Sequence, residues 1–67
     1  MQEFNLTIKI SADESYSERV SEGTRFLDLA EKYQKLYKDQ IVLVMHDHRL
    51  RELNKTVKKD MEISFIT

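Results

Sequence analysis

A single amphipathic helix is predicted between Thr24 and Lys38, and it constrains the fold more than any other part of the sequence. Its apolar residues recur at intervals of three and four, which places them on one face of a helix. They are Phe26, Leu29, Ala30, Tyr33, Leu36 and Tyr37. Thr24 has a side chain suited to the N-cap position. The apolar face needs an apolar partner, and the rest of the chain provides only strands.

Strands are predicted on both sides of the helix. Apolar and polar residues alternate at 4–10 and at 61–67, which is typical of half-buried strands. The more polar stretch 15–20 predicts an edge strand that pairs with the first one in a hairpin. The apolar run 41–45 predicts a strand covered on more than one side, and a short strand is predicted at 49–53. Between the last two strands, a short helical turn is expected, with Val57 pointing inward.

This order of elements predicts one α+β domain spanning residues 1–67. The helix stripe and one face of the sheet would bury each other. The arrangement is that of the β-grasp, or ubiquitin-like, roll, with one main helix across a mixed sheet of roughly four or five strands. In that fold the first and last strands lie side by side at the centre of the sheet, so the same is expected here by analogy.

Composition excludes several classes of protein. The net charge is -1, which is not the basic balance of a nucleic-acid-binding chain. There is one glycine, so a glycine-rich phosphate loop is excluded, and there is no cysteine for a disulfide or a thiolate metal site. No stretch approaches the length of a membrane span, and no signal-peptide pattern is present. A cytoplasmic protein with no membrane partner is therefore expected.

Several segments resemble, in their order and spacing, the TGS family of β-grasp domains. Gly23 and Thr24 open the helix, and the similar segments 26–30, 41–43, 50–53 and 60–66 follow. TGS domains occur in threonyl-tRNA synthetases, in a class of GTPases and in guanosine tetraphosphate synthetase-hydrolases. The stretch Arg-Glu-Leu-Asn-Lys at 51–55, with Lys-Lys-Asp and Ile-Ser-Phe-Ile after it, is more similar to the N-terminal segment of bacterial uridine-kinase-type nucleoside kinases.

The resemblance covers nearly the whole chain and fails at one turn. Many relatives have Asn followed by Gly or Asn after the third strand, where this chain has Asp47 and His48. The resemblance implies an appended module that binds RNA, nucleotide or another domain. No catalytic residues are known for the family, so none are carried over. No cofactor is expected in this domain, and ATP and magnesium are implied only for a kinase-type parent.

Cationic residues cluster in the last third of the chain and form the candidate binding surface. They are Arg49, Arg51, Lys55, Lys58 and Lys59, with His46 and His48 nearby. Nucleic-acid sites use such groups to contact phosphates, so a patch for phosphate, RNA or a partner protein is one interpretation. Acidic residues are interleaved with the cations in the sequence, which favours an ordinary solvated face.

His46 and His48 could also suggest a metal site. On alternate positions of a strand, both imidazoles would lie on one face with Asp47 nearby. Zinc sites use three or four protein ligands, however, and the sequence has no further histidine and no cysteine. An exposed turn with titratable side chains is the favoured interpretation, and no metal is expected.

The favoured function is a non-catalytic interaction module, acting as the N-terminal domain of a larger nucleotide-handling enzyme of the uridine-kinase type. Its partner would be a neighbouring domain of that enzyme. The alternative is an RNA- or ribosome-contacting module of a threonyl-tRNA synthetase or a guanosine tetraphosphate synthetase-hydrolase. A free-standing ubiquitin-like carrier is disfavoured, because carriers end in Gly-Gly and this chain ends in Phe-Ile-Thr. The oligomeric state stays open.

Overall fold

The computed structural model describes residues 2–67, which form five strands, one α-helix and one short 3-10 helix. In chain order these are β1 (Glu3–Lys9), β2 (Ser15–Ser21), α1 (Phe26–Tyr33), the 3-10 turn (Gln34–Leu36), β3 (Leu43–His46), β4 (Arg49–Glu52) and β5 (Met61–Ile66). The strands form a single sheet in the order β2-β1-β5-β3-β4. The prediction of an α+β fold with a mixed sheet is therefore confirmed.

The first and last strands lie side by side at the centre of the sheet, as expected. β1 and β5 run parallel, with Leu6 paired to Met61 and Ile8 paired to Ile63. β2 is antiparallel to β1 and forms one edge of the sheet, while β4 is antiparallel to β3 and forms the other. The predicted hairpin and the predicted edge position of its second strand are both confirmed.

The core lies between the helix and one face of the sheet. The helix buries the stripe Phe26, Leu29, Ala30 and Tyr33. The sheet buries Phe4, Leu6, Ile8, Val20, Val44, Ile63 and Phe65 against it. In β1 these residues alternate with exposed ones, which is the pattern of a strand with one buried face. Ile41 and Val57 complete the core from the connecting segments.

The helix begins later than the predicted residue 24, and Thr24 is not its N-cap. The N-cap is Arg25, whose backbone N–H donates to the Asp28 carboxylate over 3.1 Å. The Thr24 carbonyl instead accepts from the N–H of Val57 at 2.8 Å, and Arg25 forms a β-bridge with Thr56. Thr24 and Arg25 are therefore held by a segment distant in sequence, and the helix starts only after them.

The helix also ends before the predicted residue 38. Tyr37 has extended backbone angles, φ -119° and ψ 141°. The Gln34 side chain donates to the carbonyl of Asp39 and accepts from the N–H of Ile41, both at 2.9 Å. These bonds fold the following loop back onto the helix end. Tyr37 packs against the core from that loop, whereas Leu36 is 43% exposed, so its predicted burial is wrong.

Two other segments differ in detail from their predictions. In the apolar run 41–45, Val42 is 53% exposed and β3 begins only at Leu43, so the run is not covered throughout. Residues 54–60 contain turns and a β-bridge in place of the predicted helical turn. Val57 nevertheless points into the core, as predicted, and is 1% exposed.

The β3–β4 hairpin closes through Asp47 and His48, whose backbones are both left-handed, with φ of 54° and 63°. His46 and Arg49 are the register pair that flanks them. A two-residue loop with positive φ at both positions is the type I′ turn, whose twist matches that of the strands. The predicted turn is confirmed, and it places a histidine where glycine is favoured.

Val44 and Val42 provide a matched test of the core. Val44 is 0% exposed, whereas Val42 is 53% exposed. We expect Val44→Ala to lower the free energy of unfolding by about 2 kcal/mol, because it removes buried methyl groups and leaves a cavity. Val42→Ala should change it by less than about 0.5 kcal/mol. Urea unfolding measures both values, and similar losses in the two variants would contradict the assigned burial.

The strain at His48 gives a second test. We expect His48→Gly to raise the free energy of unfolding by about 1 kcal/mol, because glycine adopts positive φ without a Cβ clash. His48→Val should lower it, since a β-branched residue is poorly accommodated there. Thermal and urea unfolding of the two variants measure these changes. A glycine variant less stable than the original chain would show that the His48 side chain makes a stabilising contact.

Candidate functional site

The segment that carries most of the candidate cations is joined to the start of the helix. The N–H of Phe26 donates to the carbonyl of Lys55 at 3.0 Å, and the N–H of Leu27 donates to the carbonyl of Leu53 at 2.7 Å. The first amides of a helix have no partner within the helix, so these carbonyls satisfy them. The segment is irregular, but its backbone is held in place by these bonds and by the buried side chain of Val57.

A groove of about 380 Å³ lies between this segment and the sheet. Four cationic side chains line it, together with His46: Arg51, Lys55, Lys58 and Lys59. Phe26 and Met61 contribute apolar surface, and Asn54 and Thr56 contribute uncharged polar groups. We refer to this site as the basic groove. The structure thus brings together five of the seven residues of the predicted patch.

Strand alternation separates Arg51 from the acidic residue next to it. Arg51 is paired in register with Val44, which is fully buried, so Arg51 lies on the helix side of the sheet. Glu52 is paired with Leu43 and lies on the opposite face. Neighbouring residues of a strand point to opposite faces. The Glu52 carboxylate is therefore directed away from the basic groove.

The other acidic residues near the groove are also engaged elsewhere. The Asp60 carboxylate accepts from the backbone N–H of Asn5 at 2.7 Å, and the Glu62 carboxylate lies 3.9 Å from the amine of Lys9. Within residues 2–67, the ion pairs involve other cations, and none includes a cation of the basic groove. None of these carboxylates lines the basic groove or pairs with its cations, although they are interleaved with the cations in the sequence.

The remaining residues of the predicted patch are placed differently. Arg49 is paired with His46 across the hairpin, but it lines neither the basic groove nor its neighbour. His48 lines a second groove, of about 390 Å³, together with His46 and Asp47. The sequence could not separate Arg49 from the other cations, because burial and groove geometry depend on segments that meet only in the folded chain.

The two histidines do not occupy alternate positions of one strand. His46 lies in β3, and its Nδ1 is 3.2 Å from the carbonyl oxygen of Glu62. His48 lies in the turn, with a left-handed backbone. The arrangement on which the partial metal site depended is therefore wrong. In the described part of the chain, no group of three or more His, Asp or Glu side chains could hold a metal ion.

A second charged cluster, missed by the sequence analysis, joins the helix to β2. The Glu18 carboxylate accepts from the hydroxyl of Tyr33 and lies 2.6 Å from the amine of Lys32. The hydrogen bonds from Lys32 and then Tyr33 lower the pKa of Glu18. Burial, and next the hydrogen bond to Glu18, raise the pKa of Tyr33 well above its ordinary range. The cluster fixes an edge strand, and only the fold brings its members together.

The Glu18 cluster predicts a pH-dependent contribution to stability. Because the folded pKa lies below the ordinary value of 4.5, the contribution is present above that pH and is lost as the pH falls through the folded pKa. We expect Glu18→Gln to lower the free energy of unfolding by about 1 kcal/mol at pH 7 and by progressively less in acid.

The control for this measurement is Glu31→Gln. Glu31 is an exposed carboxylate of α1, and it forms no ion pair within residues 2–67. Its substitution should leave the free energy of unfolding almost unchanged at pH 7 and in acid. If the free energies of unfolding of Glu18→Gln and the original chain differ by the same amount at every pH down to 2, the role given to the Glu18 carboxylate is contradicted.

Comparisons with protein families and with curated proteins find no match to this chain. In residues 2–67, no helix has the length and apolar character needed to span a bilayer. The function must therefore be inferred from the fold, the basic groove and the exposed apolar residues.

Proposed function

We propose that this chain is a non-catalytic interaction module with a TGS-like, ubiquitin-like β-grasp fold, appended to a nucleotide-handling enzyme of the uridine-kinase type. Two observations support the fold assignment. One helix packs across a mixed sheet, and the first and last strands are parallel neighbours at its centre. The TGS-like segments of the sequence support the choice of family. The ATP and magnesium used in phosphoryl transfer would then bind to the catalytic domain of the parent enzyme.

The observation that carries the proposal is an apolar area on the sheet face opposite the helix. We call it the apolar sheet face, and it consists of Leu43, Met45, Leu50 and Ile66. Leu50 is 56% exposed and is paired with Met45, while Leu43 is paired with Ile66. Leu43, Met45 and Ile66 are half-buried. Adjacent apolar residues that reach solvent together are typical of a surface that another protein covers.

The preferred partner is a neighbouring domain of the same protein. A domain tethered in the same chain needs only a modest contact, because the linker gives it a high effective concentration. The apolar sheet face is small and is bordered by the exposed Val42, whose N–H donates to the carbonyl of Ile66 at 2.8 Å. A small apolar surface of this kind is suited to contact within one protein.

The non-catalytic part of the proposal rests on the polar groups available. The four charged groups that line the basic groove are all cations, and no carboxylate is among its lining residues. Acid–base catalysis generally needs a positioned group that exchanges a proton with the substrate near neutral pH. Lysine and arginine side chains are poor candidates for that role without a strong pKa shift.

A second candidate function is contact with RNA or the ribosome, as in the TGS modules of threonyl-tRNA synthetases and guanosine tetraphosphate synthetase-hydrolases. The basic groove favours it, because none of its cations forms an ion pair within residues 2–67 and they could contact phosphates. Binding of this kind should weaken steeply as salt concentration rises.

The docking proposal is tested with the domain encoded next to this one in the same reading frame. That domain is produced separately and titrated into the isotope-labelled 67-residue chain, and amide chemical shifts are followed. We expect shifts at the apolar sheet face. Leu50→Lys should weaken binding more than about tenfold, because it places a charge in an apolar contact.

The matched control is Leu36→Lys. Leu36 is also an exposed leucine, at 43%, but it lies on the helix layer and not on the apolar sheet face. This variant should bind as the original chain does. Equal weakening by both variants would contradict the assignment of the surface. A neighbouring domain without a kinase-type phosphate loop would contradict the assignment of the parent.

A further inference from the structure

We propose that the basic groove binds a phosphate-bearing small ligand of about the size of a mononucleotide. Phosphate groups would contact Arg51, Lys55 and Lys58, and the remainder of the ligand would lie against the apolar part of the groove, where Met61 is half-buried and Phe26 is 3% exposed. This inference is independent of the docking proposal. The basic groove is on the helix side of the sheet, whereas the apolar sheet face is on the other side.

The first argument is the uncompensated charge. The basic groove contains four formal positive charges and no carboxylate among its lining residues. Glu52 lies on the opposite sheet face, and the Asp60 carboxylate is bonded to the backbone of β1. Cations without a protein partner interact best with an anion supplied from outside. Arg51 offers paired N–H groups suited to phosphate oxygens, and the lysines offer compact charges.

The second argument is that the backbone carrying these cations is already ordered. Lys55 is fixed through its carbonyl, which accepts from Phe26, and Lys58 follows Val57, which is buried and donates its N–H to Thr24. A ligand would therefore need to order side chains but not the backbone. Sites that are formed before binding lose less free energy when the ligand arrives.

The third argument is size. The groove volume of about 380 Å³ falls in the range of small-molecule sites, roughly 300–1,000 Å³. Phe26 and Met61 give the groove an apolar part, and Asn54 and Thr56 add donors and acceptors. Ligand sites combine apolar walls with a few polar groups in this way. A ligand with both a phosphate and an organic part fits this lining better than phosphate alone.

The distribution of the other cations favours a compact ligand over an extended nucleic-acid strand. Arg25 is paired with Asp28, and Lys9 is paired with Glu62. Lys35 lies in the 3-10 turn, beyond the opposite end of the helix from Phe26. Proteins that bind single strands track the backbone with a continuous positive groove. Here Arg49, the cross-strand partner of His46, is a neighbouring cation outside the groove, and the paired Arg25 and Lys9 do not extend it into a continuous track.

The experiment follows amide chemical shifts of the labelled 67-residue chain during titration with four probes at physiological salt. The probes are ATP, pyrophosphate, adenosine, and a short single-stranded RNA with hydroxyl ends. We expect ATP to shift the amides of Arg51, Lys55, Lys58 and Lys59 in a saturable way, and adenosine to leave them unchanged. Pyrophosphate distinguishes the sources of affinity. If pyrophosphate binds more weakly than ATP, the nucleoside contributes to the affinity, as proposed. If the two bind equally, the site recognises phosphate alone and the proposed contact with an organic part is wrong.

Matched variants connect the binding to the groove. Lys55→Gln with Lys58→Gln should weaken ATP binding about fivefold or more, because each removes an exposed charged contact. Lys35→Gln with Lys38→Gln removes the same charge at the other end of the helix and should leave ATP binding within about twofold. All four substituted side chains are exposed, so the fold should persist, and the dispersion of the amide spectrum checks this.

Three results would overturn the proposal. The first is the absence of saturable shifts with ATP and pyrophosphate at millimolar concentration. The second is an equal loss of ATP binding in the two double variants, which would indicate attraction by net charge alone. The third is RNA binding much tighter than ATP binding at the same salt concentration, which would assign the groove to nucleic acid. None of these results depends on the apolar sheet face, so the docking proposal is tested separately.

Discussion

Two backbone hydrogen bonds at the start of the helix hold together parts of the fold that are far apart in sequence. The N–H groups of Phe26 and Leu27 would be unsatisfied in an isolated helix, and the carbonyls of Lys55 and Leu53 accept them. This satisfies the helix end without a side-chain cap from Thr24. It also fixes an irregular segment that strand pairing alone would not position. The same segment carries the buried Val57 and three of the cations that line the basic groove.

Because side chains alternate along each strand, the two faces of the sheet carry different kinds of residue. On the helix side, the exposed end of the sheet carries Arg51 and His46 beside the groove. On the other side lie Leu50 and Met45, which are paired across the hairpin and left without a covering layer. A chain with almost no net charge can therefore present one cationic site and one apolar surface. Net charge describes solubility and long-range attraction, but it does not describe how charges are arranged locally.

Much of this fold follows from periodicity. The strands, most of the buried helix stripe and the position of the hairpin turn were predictable, because each depends on residues close in sequence. The helix ends were not, since Gln34 bonds to the loop that follows and Thr24 pairs with Val57. The cations of the basic groove were recognisable by composition. Their separation from Arg49, and from the acids between them, was not predictable, because it depends on the tertiary packing of the segment.

The central position of β5 has a consequence for the order of folding. β5 lies between β1 and β3, so the β1–β2 and β3–β4 hairpins cannot join into one sheet until the last strand is available. Joining the two ends of a chain costs loop-closure entropy, and topologies rich in distant contacts fold slowly. On the ribosome, the β1–β2 hairpin and the helix would emerge first and wait with their apolar faces uncovered. Cooperative folding of the sheet would therefore wait until β5, at residues 61–66, is available to join the two hairpins.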